Sequence, residues 1–166
     1  MENEILKAIK ARRSVRKYQN VQIKPEELQA VLEAGTFAPS GRGAQCPMIV
    51  AVQNPETVRK LARMNAAVMD ADKNPYYDAP TLILVFVPKT QTTAVEDGAC
   101  TLNTMMLAAH SIGLASCWIH RERQMFETTE GKTLMRAWGI PDDHIGVGAL
   151  ALGYAEDNLS EAAPRR

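Results

Sequence analysis

Two helical segments precede the first strand of this chain, and that order narrows the folds open to it. Residues 2–11 carry Ile5, Leu6 and Ile9 at the spacing of one helix face. After a polar, basic stretch from Arg12 to Gln22, Pro25 opens a second helix in its first turn, where Glu26 and Glu27 suit the positive end of the helix dipole. Leu28, Val31 and Leu32 mark its apolar stripe, and it stops near Gly35. Only then does Met48–Val52 supply an apolar, β-branched run of the kind found in buried strands. Pro55 starts a third helix through Val58, Leu61 and Ala62, and Asn74-Pro75-Tyr76-Tyr77-Asp78 reads as a turn. The strongest strand signal is Leu82–Val87. A buried helix over 97–112 follows, uncharged from Gly98 to Ile112 and ended by Gly113. A strand over 114–119, a mixed helical stretch over 122–138 and a last strand over 144–154 complete the pattern. A series that opens on two helices is not a clean βαβ repeat, and no glycine fingerprint follows a strand. The expectation is a mixed three-layer α/β or α+β domain over residues 1–166, not a doubly wound dinucleotide fold.

Charge excludes some functions. Nineteen basic and nineteen acidic side chains cancel, so no long-range field draws the molecule to nucleic acid or to a membrane, and any anion site must be local. Cys46, Cys100 and Cys117 are odd in number and share no short spacing, which argues against a disulfide framework and makes a reducing cytoplasm the simplest setting. No signal peptide is visible, and no apolar stretch reaches the length of a membrane span. No ligand pair has zinc-like spacing, so no metal is expected.

Three stretches carry chemistry. Lys10-Ala11-Arg12-Arg13-Ser14-Val15-Arg16-Lys17 places five cations in eight residues. Arginine forks match phosphate oxygens in pairs and a serine hydroxyl adds a donor; the same composition also describes a solvated basic turn. Pro39-Ser40-Gly41-Arg42-Gly43-Ala44-Gln45 lets backbone approach a flat ligand, with Ser40 and Gln45 as polar edges, or simply connects two elements. The helix with Asp97, Asn103 and His110 leads into Gly113-Leu114-Ala115-Ser116-Cys117-Trp118-Ile119-His120-Arg121. Gly98, Ala99, Ala108 and Ala109 suit either a subunit interface or core packing. Cys117 and His120 lack an orienting carboxylate in the adjoining segment, so neither a nucleophile–base pair nor half a metal site is favoured. Met64, Met69, Met105 and Met106 read as gap-filling core.

Taken together, these stretches resemble the nitroreductase family, in its short-chain branch, over nearly the whole chain. The resemblance implies a nitroreductase-like α+β fold: a mostly antiparallel central sheet flanked by helices, in a homodimer holding FMN non-covalently at its interface. By that likeness Arg12, Arg13, Ser14 and Arg16 contact the phosphate and ribityl chain. Pro39, Ser40, Gly41 and Gln45 reach the flavin from the neighbouring subunit. The segment Cys117, Trp118, Ile119, His120 and Arg121 lies near the reactive edge of the ring, Asn65 stands against it, and Arg165 meets the phosphate. Two departures stand out: Gly43 replaces an asparagine common in relatives, and the chain ends at Arg166 where relatives continue into a tail that embraces the partner.

The implied chemistry is a ping-pong reduction: NADH or NADPH reduces FMN and leaves, and a nitroaromatic, quinone or enone enters the same face. The flavin supplies the redox chemistry and the protein supplies position and electrostatics, so no catalytic side chain is assigned. A carrier, sensor or flavin-processing relative that binds FMN without reductase turnover is an alternative. A non-enzymatic anion-binding module is another.

Overall fold

A computed structural model, described here for residues 1–156, gives six helices, one short 3₁₀ turn and four strands. In chain order these are α1 (Glu4–Ala11), α2 (Pro25–Thr36), β1 (Met48–Val52), α3 (Pro55–Val68), β2 (Thr81–Pro88), α4 (Ala94–Ser111), β3 (Ala115–Ile119), α5 (Glu122–Glu127), α6 (Thr129–Ala137) and β4 (His144–Gly153), with the 3₁₀ turn at Gly41–Gly43. The strands form a single sheet in the order β1-β2-β4-β3, every pairing antiparallel. The expected mixed α+β architecture with an antiparallel sheet is what the chain adopts.

Strand β2 explains the layering. Its side chains alternate between faces. Leu82, Leu84 and Phe86 join a core with Leu61 of α3, Met125 and Phe126 of α5 and Met135 of α6. Ile83, Val85 and Val87 join a second core with Val31 of α2 and Leu102, Met105 and Met106 of α4. A strand buried on both faces has no polar side to show, hence the unbroken apolar run in the sequence. Phe86 meets Phe126 edge-on at 4.8 Å between ring centroids, and Trp138 closes the cluster.

The structure revises several local expectations. The mixed helical stretch 122–138 is two helices, because Thr128 leaves helical geometry (ψ 159°) and its hydroxyl caps Gly131 N–H. Helix α4 begins three residues earlier than expected, at Ala94. Gly98 and Ala109 are buried within their own chain, Gly98 against Val147, so these two small residues serve core packing. Met105 and Met106 fill the core as expected and Met64 packs at its margin, but Met69, the residue that ends α3, is exposed. No helix of the described residues is long and apolar enough to cross a membrane.

Candidate functional site

The basic segment after α1 is clipped to the sheet at Ser14 and again at Tyr18. Ser14 bridges Ser116 in parallel beside the edge strand β3, with Val15 N–H donating to the Ser116 carbonyl at 3.0 Å. Tyr18 bridges Ala155, and its hydroxyl donates to the carbonyls of Val15 at 2.7 Å and Ala151 at 3.2 Å. The arginines before and between these clips differ. Arg13 turns back on its own helix, its guanidinium donating to the carbonyls of Lys10 and Arg12. Arg12 places Nη1 in the interior with no hydrogen-bond partner among the described residues. Arg16 lies over the Tyr77 ring at 5.9 Å. Neither Arg12 nor Arg16 forms an ion pair among the described residues. A cleft of about 300 Å³ opens beside Arg12, lined also by Arg13, His110, Gly113 and Ser116 among others. Cys117, on β3, is buried close to this group. Burial raises its thiol above the ordinary range, while the charges of Arg16 and Arg12 and the Ser14 hydroxyl oppose part of that rise.

Beyond β3 the chain turns sharply. Arg121 has φ +87°, a left-handed conformation that is costly outside glycine. Its Nε donates to Asn65 Oδ1 at 2.8 Å, and Asn65 Nδ2 donates to the His120 carbonyl at 2.9 Å and to Glu122 Oε1 at 3.2 Å. Asn65 is wholly buried, so it braces the turn from inside the protein. The Tyr76 hydroxyl donates to the same Glu122 oxygen at 2.9 Å, whereas Glu122 Oε2 has no partner among the described residues. The Glu122 carboxyl is pushed up to about 7 by burial, against the hydrogen bonds and the Arg121 charge that favour its ionised form. Burial also raises the Tyr76 phenol, assisted by the Glu122 charge.

The turn 74–78 links this network to the arginines. Asn74 accepts from Tyr76 N–H and donates to Asp78, holding Tyr77 and Asp78 at φ +55° and +57°. Tyr76 thus points into the buried network while neighbouring Tyr77 meets Arg16. The structure therefore gathers Arg12, Ser14 and Arg16 around Cys117, and His120 and Arg121 around Asn65. Trp118 lies on the other face of the sheet with the α4 core, and Ile119 is buried with the opposite core. Sequence reasoning read Tyr76 and Tyr77 only as turn residues and did not single out Glu122.

The loop 38–47 sits elsewhere. Gly41 N–H donates to Asp97 Oδ1 at 2.8 Å, Thr93 Oγ1 to Asp97 Oδ2 at 3.1 Å, and Gln45 N–H to Ser40 Oγ at 2.9 Å. Pro39 and Gln45 are exposed. Asp97 is in the first turn of α4 and His110 in its last, about 20 Å apart at 1.5 Å per residue. Within one chain this loop and the arginine cleft occupy opposite ends of the helix. Arg165 lies outside the described residues. No group of three His, Cys, Asp or Glu side chains among the described residues is placed to hold a metal ion.

Comparison with known proteins places this geometry. Residues 9–154 match the model of the nitroreductase family. A protein of Methanothermobacter thermautotrophicus, provisionally named an NADH dehydrogenase/NAD(P)H nitroreductase, is 29% identical over 163 residues, covering 93% of this chain and 79% of its own. The crystal structure of a nitroreductase with bound FMN from Bacteroides fragilis superposes with a TM-score of 0.92 at 36% identity, covering 99% of this chain and 96% of that one. A second nitroreductase with bound FMN, from Desulfitobacterium hafniense, gives 0.88 at 27% identity over the same shares. With its antiparallel sheet, its clipped basic segment and a family match spanning nearly all the described residues, the chain belongs to the nitroreductase family.

Proposed function

We propose that this chain is an FMN-dependent oxidoreductase that takes electrons from NADH or NADPH and passes them to a small organic acceptor, a nitroaromatic, quinone or enone, in two successive half-reactions. The observation that carries this reading is the buried Nη1 of Arg12, which has no hydrogen-bond partner among the described residues, with Arg16, likewise without an ion pair among them, acting on the same Cys117. A buried donor on a cation, left without an acceptor, is costly, and an anion that completes it removes the cost. A phosphate monoester suits guanidinium forks, and Ser14 adds a hydroxyl. The FMN bound by the relatives from Bacteroides fragilis and Desulfitobacterium hafniense, and the nicotinamide donor in the name of the Methanothermobacter relative, support the same assignment.

When bound, FMN supplies hydride acceptance and donation. Arg12, Ser14 and Arg16 would grip its phosphate and ribityl chain, Cys117–Ile119 would form the strand beside it, and the His120–Arg121 backbone would face its reactive edge. Asn65 holds that turn from behind. Arg13 caps its own helix and is the weakest of the four basic-segment assignments; Arg165 would add a further cation.

A homodimer completes the reading. In one chain the loop with Pro39, Ser40, Gly41 and Gln45 is about a helix length from the arginines, so both serve one flavin only if a second copy brings its loop across. Helix α1 buries none of its residues, and Ile5, Ile9, Val95, Ile112 and Phe37 are exposed apolar side chains suited to such an interface. The free thiols of Cys46, Cys100 and Cys117 suit a cytoplasmic location.

The test is direct. The purified full chain should be yellow, retain FMN through gel filtration, and bleach anaerobically when NADH or NADPH is added. A colourless chain that takes up no FMN overturns the reading; a yellow chain that neither nicotinamide bleaches overturns the reductase assignment while leaving FMN binding.

A further inference from the structure

Glu122 has no exposed surface, and the reaction outlined above gives it no task. Three elements converge on it: Asn65 from α3, Tyr76 from the turn before β2, and Gly146 of β4, where an added Cβ would lie 2.9 Å from both the Cβ and the carbonyl oxygen of Glu122. Placing a carboxylate there is expensive, and replacing buried ionic groups by apolar ones is often neutral or stabilising. What it gains is geometric. Its Oε1 receives the Tyr76 hydroxyl and the Asn65 amide together. That orients the amide so that its other contacts fall on the His120 carbonyl and on Arg121 Nε, the peptide before and the side chain of the residue at φ +87°.

We propose that Glu122, with Tyr76, is a positioning residue for flavin reduction: it orients the Asn65 amide, which pins the strained His120–Arg121 turn and aims its backbone at the reactive edge of the ring. The inference rests on the FMN reading of the preceding subsection. It also gives the turn a pH dependence. The titratable groups facing Glu122 are Tyr76 and Arg121, while Asn65, Met125 and the Gly146 backbone are uncharged. The ionised carboxylate is the stronger acceptor, so the clamp is firm above about pH 7 and slackens as the proton arrives.

The experiment uses the FMN-loaded full chain and its Glu122→Gln and Tyr76→Phe variants. In the unaltered protein the visible spectrum of bound FMN and the anaerobic bleaching rate with excess NADPH or NADH should both change between about pH 6 and 8. In Glu122→Gln that transition should vanish. At about pH 8 both variants should bleach about tenfold more slowly, with FMN affinity within about twofold, because the phosphate grip lies elsewhere. A purely structural role would move the melting temperature and leave the pH profile in place. Variants that load FMN and keep the parental spectrum, rate and pH profile overturn this inference alone, and Tyr76→Phe carries the test if Glu122→Gln does not fold. An unaltered chain that binds no FMN overturns the earlier reading, and this one with it.

Discussion

Two buried acids, one at the start of α4 and one at the start of α5, have opposite surroundings. Asp97 is fastened on both oxygens: the Gly41 N–H holds Oδ1, and the Thr93 hydroxyl and, more weakly, the Cys46 thiol hold Oδ2. Glu122 is fastened on one oxygen and, among the described residues, bare on the other. A fully satisfied acid is a fixture: Asp97 ties the loop 38–47 to the helix that carries it. A half-satisfied acid lies near the balance between its charged and neutral forms. It sits beside the turn that the fold holds in strain, on the side of the molecule where the arginines gather. Local completeness of hydrogen bonding thus separates a carboxylate that ties down a loop from one whose protonation can change with its surroundings.

The largest expected effect isolates the arginine end. Arg12→Ala combined with Arg16→Ala should weaken FMN binding about a thousandfold, from roughly 1.5–3 kcal/mol for each charge-assisted contact. FMN fluorescence titration reads this, and a double variant that purifies fully loaded would refute the phosphate assignment. Next comes Asp97→Ala, which strips acceptors from Gly41 and Thr93 and should lower stability by about 3 kcal/mol. Limited proteolysis should then cut first within residues 38–47; unchanged cleavage there would show that Asp97 does not tether the loop.

Third is the pH dependence of folding. The folded Glu122 carboxyl is raised from 4.5 to about 7, so the native state holds a proton that the unfolded chain has lost. Stability is fullest below the unfolded value and falls as pH rises through the folded one. Between about pH 5.5 and 8 this group removes about 2 kcal/mol. Glu122→Gln should erase that slope in denaturant melts, and a slope equal to the parent's would mean the carboxyl titrates normally. The smallest effect is a packing change inside the sheet that touches neither acid directly. A Cβ at Gly148 would meet the Trp118 indole nitrogen at 2.3 Å, so Gly148→Ala should displace the ring, shift tryptophan emission and cost about 1 kcal/mol. Unaltered FMN affinity in this variant separates packing from the site.

Much of the fold was legible in the sequence because burial on both faces writes itself as an unbroken apolar run, as in Leu82–Val87. The basic segment was legible because five cations stand out in a chain of zero net charge. What stayed hidden depended on distance along the chain. Asn65 was singled out, but its link to Tyr76 and Glu122, which come from two other elements, was not. Within Arg121-Glu122-Arg123-Gln124 the glutamate looks like one more solvated charge, so no local signal set it apart. A tyrosine pair in a turn likewise does not say that Tyr76 faces inward and Tyr77 outward. The break between α5 and α6 did leave a trace, a threonine three residues ahead of Gly131, and that trace was passed over as part of one helical stretch.

The clips on the basic segment have a kinetic corollary. Ser14 and Tyr18 hold the strip between them along the sheet margin whether or not anything is bound, so its backbone loses little freedom when a ligand arrives. Association should then be set by diffusion and charge, without a slow ordering phase, and the cost of immobilising a loose loop is largely absent from the affinity. The Val15 amide, bonded to Ser116, should exchange its hydrogen slowly even in apoprotein; rapid exchange there would mean that the strip orders only on contact with its ligand.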